Sequence, residues 1–401
     1  MLPLEEVVEK SLASVTTLKP ELIPLWESCR RFAAEEMYAQ VSLPGFDNSA
    51  MDGFAVVSSD LKQASEPTPV TLRCTGVIPA GSTAEHAVSR GTCMKIFTGS
   101  PIPAGADAVI MQEYCQTNES GKSVDCTDQV KPWENIRMTG EDVREGERVL
   151  AKGQLINAGA IGLLAATGHH EIKVGRRPKV ALVATGSELE EAPQELAPGK
   201  IYDSNRTMLA SMISSINGIP KRYPIVRDDL RETCSVLESA FAENDIVLTS
   251  GGVSVGDHDH VKPAIKELGG TVGLWKVAIK PGKPFVLGQV NGRPLFGLPG
   301  NPASALVTYQ LMVRPSLLKM QGATECRLAK RAGILSESFT NKGDRRHFVR
   351  VAINPLGQVS SSGGQRSHML RSLANANALL DLPPESHLTK GESVEVLIIE
   401  D

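Results

Sequence analysis

The sequence predicts a multidomain α/β protein in which a parallel sheet covered by helices is joined to β-rich segments. Strand-like and helix-like segments alternate between residues 178 and 320, which is typical of repeated β-α-β units and of a parallel sheet. Residues 46–150 instead carry short apolar runs separated by Gly, Pro, Ser and Asn. The segment after residue 329 again lacks helical spacing. These three observations together predict the fold class.

The same patterns divide the chain into domains. Apolar residues at helical spacing after Leu4, and again over residues 159–167, predict a helical, elongated linking segment. We assign residues 1–45 and 146–177 to this segment, 46–145 to a β-rich domain, 178–328 to an α/β domain and 329–401 to a small C-terminal β-barrel domain. Within the α/β domain, Asn291-Gly292 between two apolar runs predicts a β-hairpin.

Composition excludes several classes of protein. The 401 residues include 42 Lys+Arg and 46 Asp+Glu, a formal net charge of −4, which argues against nucleic-acid binding through general basicity. No apolar run approaches the length of about 18 residues that would cross a membrane, and the first residues do not resemble a signal peptide. The 7 cysteines are scattered without a Cys-x-x-Cys pair, which disfavours a disulfide framework and a structural zinc site. We expect a cytoplasmic protein.

Small residues and carboxylates follow the predicted parallel strands, at the edge where open α/β sheets bind ligands. The strand over residues 179–184 precedes Thr185-Gly186-Ser187-Glu188, the strand-like run over residues 219–226 precedes Asp228, and the strand ending near residue 249 precedes SGGVSVGDHD at 250–259. A Gly/Ser loop before a helix presents backbone N–H groups to an anion such as phosphate. The carboxylates beside it favour a bridging divalent cation, most simply Mg²⁺, although each acid alone could cap a helix or turn.

Two familiar nucleotide-binding patterns are absent from the sequence. SGGVSVGD lacks the GxxxxGK[ST] spacing of a Walker A loop, and no GxGxxG follows a first strand. Both a P-loop NTPase and a dinucleotide oxidoreductase are therefore disfavoured. His258 and His260 have no third histidine or cysteine nearby in the sequence, so a zinc site there is also disfavoured.

A basic cluster predicts a second anion site. Lys276 is followed by Lys280-Pro281-Gly282-Lys283-Pro284, in which the prolines and the glycine stiffen the backbone that carries the lysines. Closely placed ammonium groups suit a compact oxyanion such as phosphate, sulfate or a metal oxyanion. GLPGNPAS at 297–304 then opens a helix and adds Ser304. The C-terminal domain could complete the site with Arg345, Arg346, Arg350, Arg366 and Ser367.

Eight motifs occur in an order that resembles one protein family. They are SAMDG at 49–53, TGSPIPAGAD at 98–107, GEDVREGE at 140–147, TGSE at 185–188, YDSN at 202–205, SGGVSVGDHD at 250–259, KPGKP at 280–284 and GLPGNPAS at 297–304. The ordered set resembles the molybdopterin molybdenumtransferase (MoeA) family, which is related to the E domain of gephyrin. The resemblance runs from about residue 5 to the end of the chain.

The resemblance implies an activity and an assembly. Members of this family insert molybdenum from molybdate into adenylylated molybdopterin with the help of Mg²⁺, hydrolyse the adenylyl bond and release AMP. The α/β domain would be of the MogA/MoaB type. The family forms an elongated homodimer through its helical linking segment, and each site lies between the α/β domain of one subunit and the β-rich domain of the other. Transient contacts with the molybdopterin adenylyltransferase and with molybdoenzyme maturation proteins are implied as partners.

The resemblance also assigns roles to residues of this sequence. Phosphate and pterin would be bound by Thr185, Gly186, Ser250, Gly251, Gly252, Ser254, Gly256, Pro299 and Pro302. Mg²⁺ would be held, or the hydrolytic water positioned, by Asp228, Asp259 and Glu188. The partner subunit would contribute Asp52, Thr98 and Asp142 to the site. Molybdate would be bound by Lys276, Lys280, Lys283 and Ser304, with Arg345 or Arg350 and Ser367.

The sequence departs from the family pattern in two places. Asp257 stands where the family pattern has Glu, and His258 beside it has no assigned role. Two alternative functions remain: a molybdopterin adenylyltransferase, which would lack the outer domains, and a scaffold or anchoring protein of the gephyrin type.

Overall fold

The computed structural model of the chain describes residues 1–253 and 260–399. Its helices are α1 Leu4–Ala13, α2 Ala158–Ala166, α3 Asn205–Ser215, α4 Leu230–Glu243, α5 Val261–Glu267, α6 Pro302–Thr308, α7 Arg314–Met320 and α8 Arg371–Ala374. A π-helical turn, Tyr309–Val313, joins α6 to α7. Short 3-10 turns lie at Leu25–Glu27, Ser58–Leu61 and Gln112–Tyr114.

The strands are numbered along the chain. The first part contains β1 Glu21–Pro24, β2 Met37–Tyr38, β3 Asn48–Ser49, β4 Gly53–Val56, β5 Val70–Ile78, β6 Thr92–Ile96, β7 Ala108–Met111, β8 Cys115–Thr117, β9 Ser123–Cys126, β10 Ile136–Arg137, β11 Arg148–Leu150 and β12 Glu171–Val174. The middle part contains β13 Lys179–Ala184, β14 Leu189–Glu190, β15 Ile201–Tyr202, β16 Ile219–Arg222, β17 Ile246–Ser250, β18 Thr271–Lys276, β19 Ile279–Lys280, β20 Pro284–Val290 and β21 Arg293–Leu298. The last part contains β22 Lys330–Leu335, β23 Phe339–Asn341, β24 Arg346–Ile353, β25 Gln358–Ser361, β26 Ala378–Leu382, β27 Ser386–Leu388 and β28 Ser393–Ile398.

The chain forms two compact units. One contains residues 36–151 and 158–171, and the other contains residues 1–35, 152–157 and 172–401. The smaller unit is built on a sheet of order β7-β4-β6-β5-β9-β8, with its core between apolar residues such as Phe54, Leu72 and Ile110. This unit confirms the predicted β-rich texture.

The larger unit contains the α/β sheet, whose strand order is β16-β13-β17-β21-β20-β18. Strands β16, β13, β17 and β21 run parallel, and β20 and β18 extend the sheet with antiparallel pairing. The predicted hairpin joins β20 to β21, where Asn291 and Gly292 have φ of 51° and 75°. Positive φ at both central residues is what a two-residue hairpin turn of the right twist requires. The sequence prediction is confirmed here.

Both faces of this sheet are buried. Val180, Leu182 and Leu248 belong to one apolar core, and Ala181, Val183 and Val247 belong to another on the opposite face. Successive side chains of a strand point to opposite faces, so strands covered on both sides are apolar throughout. This explains why KVALVA at β13 has no polar alternation.

The C-terminal segment of the larger unit closes into a barrel. Its strands follow the order β24-β25-β22-β28-β26, and a further pairing of β24 with β26 closes the ring. Strand β19 adds to β24 in parallel, so that Lys280 lies opposite His347. The predicted fold class, a parallel α/β sheet with a β-rich domain and a small C-terminal β-barrel, is confirmed.

The prediction of a helical segment over residues 1–45 and 146–177 is correct only in part. Helix α1 ends at Ala13, and residues 21–24 pair with β12 as a strand. Pro20 and Pro24 explain the difference, because proline removes an N–H donor and pushes the residue before it towards extended backbone. Helix α2 is the helical part of residues 146–177. Within the described residues, no helix is long and apolar enough to cross a membrane.

A close strand contact in the smaller unit gives a stability prediction. A Cβ added at Gly53 would overlap the carbonyl oxygen of Ile110 on β7, whereas a Cβ at Gly76 would meet only the flexible end of the Met94 side chain. Overpacking against backbone costs about 1–3 kcal/mol. We expect Gly53→Ala to lower the unfolding free energy of this unit by about 2 kcal/mol, measured by hydrogen exchange of β4 and β7 in urea. Gly76→Ala is the matched control, and an equal effect of both variants would contradict the prediction.

Candidate functional site

The carboxyl ends of three parallel strands meet at one edge of the sheet. Ser250 lies opposite Ala184 on one side and Leu298 on the other. Gly251 follows with φ of 89°, and a Cβ there would lie 2.6 Å from the Thr185 carbonyl oxygen. Only glycine combines that backbone conformation with so close an approach. The predicted phosphate loops at Thr185 and Ser250 are therefore adjacent in space.

The third loop of this edge is GLPGNPAS, and it packs against the second. The Gly251 N–H donates to the Leu298 carbonyl at 3.1 Å. A Cβ on Gly300 would be 3.9 Å from the Gly251 Cα atom. Ser250 is 4% exposed, and its Oγ accepts a hydrogen bond from the Asn205 Nδ2 at 2.8 Å. The sequence motif YDSN supplied Asn205, but sequence reasoning assigned it no role.

Two of the three predicted metal carboxylates lie at this edge. Glu188 is exposed, and a Cβ on Gly186 would lie 2.6 Å from its Oε2, so the carboxylate folds over that glycine. The Asp228 N–H donates to the Ser187 Oγ at 3.2 Å, which places both acids on adjacent loops. Asp259, Ser254 and Gly256, together with Asp257 and His258, lie outside the described residues. Among residues 1–253 and 260–399, no three His, Cys, Asp or Glu side chains lie close enough to hold a metal ion.

A cavity of about 680 Å³ lies beside the third loop and contains most of the predicted oxyanion residues. Its lining comes from the lysine turn, from the start of α6 and from the barrel. The residues are Lys280, Pro281, Gly282, Lys283, Pro284, Pro299, Asn301, Ser304, Arg345, Gln365, Arg366, Ser367 and His368. The structure thus brings Lys280, Lys283, Ser304, Arg345 and Ser367 together. Pro302, the first residue of α6, is next to the lining residue Asn301.

The lysine turn is held rigidly. Gly282 has φ of 106°, and a Cβ there would lie 2.6 Å from the Thr308 Cγ2 on α6. The Lys283 carbonyl accepts a hydrogen bond from the Val277 N–H at 2.7 Å. Ser304 is 5% exposed on the same helix. The two ammonium groups are therefore presented by a turn that is packed directly against the helix carrying the hydroxyl.

Arg345 and Arg350, which the sequence left as alternatives, have different positions in the structure. Arg345 lines the cavity, and its Nη1 donates to the Ile279 carbonyl at 3.0 Å. Arg350 is fully buried and does not line the cavity. Its Nη2 donates to the carbonyls of Gly364 at 2.8 Å and Arg366 at 3.2 Å. The expectation that Arg350 contacts the oxyanion directly is not supported, because its guanidinium holds the loop instead.

Gln365 reinforces this loop, and the sequence analysis missed it. Its Oε1 accepts from the Arg350 N–H at 2.9 Å, and its Nε2 donates to the Arg350 carbonyl at 3.0 Å. The side chain therefore bonds to Arg350 as a neighbouring strand would. Asn301 and His368 also line the cavity without having been predicted. Asn301 lies within GLPGNPAS, and His368 directly follows Ser367, so adjacency to predicted residues was the available signal.

Lys276 is not in the cavity, contrary to the prediction. It lines a separate cavity of about 420 Å³ with Met1, Leu2, Glu6, Lys10 and Trp275. Lys276 ends β18 in the α/β sheet, whereas Lys280 belongs to β19, which pairs with the barrel. The chain passes from one sheet to the other between these two lysines, so their closeness in sequence does not bring their side chains together.

The predicted residues of the smaller unit are partly brought together. The Asp52 Oδ1 accepts from the Thr98 N–H at 2.7 Å and from the Thr98 Oγ1 at 2.9 Å. These hydrogen bonds to the charged form lower the pKa of Asp52. Asp142 is exposed on a different turn, where its N–H donates to the Leu43 carbonyl at 3.0 Å.

His347, which lies opposite Lys280 across β19 and β24, is an uncharged group near pH 7. It is 7% exposed, and its Nε2 has no hydrogen-bond partner among the described residues. Burial, together with the positive charges of Lys280, Arg350 and Arg345, lowers the pKa of His347 to about 4. The histidine is therefore neutral near pH 7 and adds no charge to a region that already holds several cations.

Comparison with known proteins identifies the class of protein and then the family. Models described as the MoeA N-terminal region (domain I and II), a probable molybdopterin binding domain and the MoeA C-terminal region (domain IV) match residues 2–168, 181–319 and 332–399. The fold is thus that of a multidomain protein built around a molybdopterin-binding type of α/β domain.

Full-length relatives show the family. Molybdopterin molybdenumtransferase of Haemophilus influenzae is 36% identical, covering 99% of this chain and 98% of that protein. Molybdopterin molybdenumtransferase 2 of Mycobacterium tuberculosis is 37% identical over 92% of both chains. The crystal structure of a molybdopterin biosynthesis MoeA protein from Pyrococcus horikoshii matches with a TM-score of 0.85 and 32% identity, covering 99% of this chain and 100% of that one. The chain belongs to the molybdopterin molybdenumtransferase (MoeA) family, which confirms the resemblance drawn from the motifs.

The neutral state of His347 gives a pH prediction. The unfolded chain binds a proton at this histidine near the ordinary pKa of 6.5, whereas the folded chain does so only near a pKa of about 4. The unfolding free energy should therefore fall as pH is lowered from about 6.5 to about 4, by up to about 3 kcal/mol from this group. We expect His347→Gln to flatten that part of the pH profile, measured as urea midpoints between pH 7 and pH 4.5.

The exposed His387, on β27 of the same C-terminal segment, supplies the control for this measurement. His387→Gln should leave the slope as it is in the unmodified chain. A profile that is identical for all three proteins would assign the acid sensitivity to other groups.

Proposed function

We propose that this chain inserts molybdenum from molybdate into adenylylated molybdopterin, with hydrolysis of the adenylyl bond and release of AMP. The observation that carries the proposal is the cavity lined by Lys280, Lys283, Arg345, Ser304 and Ser367, which adjoins the glycine-containing strand ends. The full-length relatives named molybdopterin molybdenumtransferase support the same reaction.

Molybdate is assigned to the basic cavity. A tetraoxo dianion has acceptor oxygens on every side, and ammonium, guanidinium and hydroxyl groups are donors. Charge-assisted hydrogen bonds of this kind are roughly twice as strong as neutral ones. Lys280 and Lys283 supply charge, Arg345 supplies a planar donor pair, and Ser304 and Ser367 supply hydroxyls. Arg350, which is fully buried, and Gln365, which also lines the cavity, would position the loop of Ser367.

The phosphate and pterin are assigned to the strand-end loops. The Gly251 N–H is already used by the Leu298 carbonyl, whereas within the described residues the Gly252 N–H has no acceptor and can donate to a phosphate oxygen. Thr185 is half-buried beside it and offers a hydroxyl. Ser250 accepts from Asn205, so its own O–H remains available to donate.

The proximity of the two subsites is the main catalytic device in this proposal. Pro299 and Asn301 line the basic cavity, and Gly300 between them packs on Gly251. One short loop therefore borders both subsites. Holding two reactants in position removes most of the entropy cost of bringing them together. In the balanced step, two thiols of the pterin form bonds to molybdenum, one oxide leaves, and their two protons convert it to water.

We further propose that Mg²⁺ assists at the carboxylate edge. Carboxylate oxygens are the ligands Mg²⁺ prefers, and Asp228 and Glu188 lie on adjacent loops there, with Asp259 as the third acid expected from the sequence. When bound, Mg²⁺ would supply positive charge beside the phosphoanhydride. Asp228 and Glu188 themselves would hold the ion and orient water for hydrolysis.

The same proposal includes a homodimer and a cytoplasmic location. It also includes transient contacts with the adenylyltransferase and with molybdoenzyme maturation proteins. All of these rest on the family resemblance. The adenylyltransferase and scaffold alternatives differ from it in one measurable respect. Neither predicts AMP release that depends on molybdate.

The assignment of Lys283 predicts a specific change in the molybdate requirement. In the full-length chain we expect molybdate-dependent release of AMP from adenylylated molybdopterin. Loss of one charge-assisted bond should raise the half-saturating molybdate concentration of Lys283→Ala by about tenfold or more. The KM for the pterin substrate should change little. Both constants are measured as initial rates of AMP formation.

Lys276→Ala is the matched control, because it removes the same charge from a different cavity. We expect its molybdate constant to stay within about twofold of the original. Absence of AMP release from the unmodified chain would overturn the proposed function. Equal losses in the two variants would show that general surface charge, and not the cavity, attracts molybdate.

The carboxylate assignment predicts a loss of AMP release in Asp228→Asn. The substitution removes charge and keeps volume, so the rate should fall by about 10²-fold or more, and added Mg²⁺ should recover part of it. Asp229→Asn is the control, since Asp229 caps α4 by accepting from the Glu232 N–H at 2.8 Å, and Asn caps helices equally well. An unchanged rate in Asp228→Asn would remove this carboxylate from the reaction.

A further inference from the structure

We infer that Asn205 is a positioning residue that holds the two subsites of the proposed reaction together. The inference rests on the proposed function for its kinetic consequences. Its structural basis is a single side-chain amide that bonds to both loops. The Asn205 Nδ2 donates to the Ser250 Oγ at 2.8 Å and to the Gly300 carbonyl at 2.7 Å.

The two acceptors belong to different parts of the site. Ser250 begins the loop assigned to phosphate and pterin. Gly300 lies between Pro299 and Asn301, which line the basic cavity. A shift of the Asn205 amide would therefore displace both loops at once, and the distance between the bound substrates with them. Asn205 itself does not line the cavity.

The position of Asn205 is fixed from its other side. The Asp203 Oδ1 accepts from the Asn205 N–H at 3.0 Å, and the Asp203 carboxylate pairs with the buried Arg206. Arg206 is 2% exposed and also donates to the Tyr223 carbonyl. The start of α3 is thus anchored to the α/β sheet, and the Asn205 amide is held where it can act on the two loops.

The two ends of the Asn205 amide differ in their contacts within the described part of the chain. Asn205 is 7% exposed, and its Oδ1 has no hydrogen-bond partner among the described residues. Burying a polar atom without a partner is unfavourable. An apolar side chain would fill this position without burying an unpaired oxygen. We therefore infer that the two N–H donors of the amide, and not its volume, are what the site requires.

Asn244 provides a matched comparison within the same sheet. It is 4% exposed, and its Nδ2 also makes two hydrogen bonds, to the Tyr223 Oη and to the Ala240 carbonyl, both at 2.9 Å. Asn244 precedes the amino end of β17, whereas Ser250 ends β17 at the site. Replacement by alanine deletes the same groups in each case, but at opposite edges of the sheet.

The experiment compares Asn205→Ala and Asn244→Ala in the AMP-release assay with molybdate and pterin substrate varied separately. We expect Asn205→Ala to raise the KM for both substrates, each by about three- to tenfold. Asn244→Ala should leave both KM values within about twofold. It should lower the thermal midpoint about as much as Asn205→Ala does, because both variants lose two hydrogen bonds. A purely structural role for Asn205 would instead lower its thermal midpoint and leave both KM values unchanged, and that result would overturn the inference.

The outcomes separate this inference from the proposed function. If the unmodified chain releases no AMP, the proposed function fails, and binding of molybdate alone to the two variants by calorimetry then tests Asn205. Weaker molybdate binding in Asn205→Ala than in Asn244→Ala supports the inference, and equal binding overturns it. Asn205→Ser is used if the alanine variant does not fold. Failure of both Asn205 variants to fold, with Asn244→Ala folded, would make Asn205 a folding residue and overturn the inference as well.

Discussion

The close approach of three strand-end loops is the constraint on which the candidate site depends. Gly251 packs on the Thr185 carbonyl and Gly300 packs on Gly251, so the ends of β13, β17 and β21 are separated by little more than backbone. The approach of Gly251 to Thr185 leaves no room for a side chain there, so this edge presents backbone N–H groups and hydroxyls. The same closeness makes small displacements consequential, because a reacting pair must be held within a fraction of an ångström.

A second constraint is electrostatic. Lys280, Lys283, Arg345 and Arg366 line one cavity, and the charges repel each other when no anion is present. His347 does not add to this positive charge, since its low pKa keeps it neutral near pH 7. The buried cation Arg350 is instead turned towards backbone carbonyls, which accept its hydrogen bonds. A dianion is therefore the ligand that best relieves this arrangement, and its oxygens match the available donors.

The sequence predicted much of the regular structure, and the proximity of Lys280, Lys283 and Ser304, because these are largely local properties. The apolar run of β13, the Asn291-Gly292 turn and the stiff lysine turn each depend on adjacent residues. The sequence was less informative about which side chains from distant parts of the chain meet at the site. Lys276 follows the same lysine-rich pattern as Lys280, but a change of sheet separates them. Arg350 has the same charge as Arg345, and only the burial of one distinguishes a loop-holding residue from a cavity residue. The apolar residues between positions 14 and 42 have helical spacing, but Pro20 and Pro24 favour extended backbone there.

Three of the misassigned and missed residues share a physical role. Asn205 and Gln365 were given no role, and Arg350 was given a contact. All three side chains donate hydrogen bonds to the backbone of irregular loops, at Gly300, Gly363 and Gly364 respectively. Such loops lack the repeating hydrogen bonds that fix a helix or a strand, so side chains must supply them. A motif in a sequence therefore mixes two kinds of polar residue, those that touch a ligand and those that hold the touching residues in place. Lys280 and Lys283 are exposed, whereas Asn205 and Arg350 are buried, although Ser304 lines the cavity while only 5% exposed. Charge and spacing cannot make that distinction, because burial is decided by residues far away in the chain.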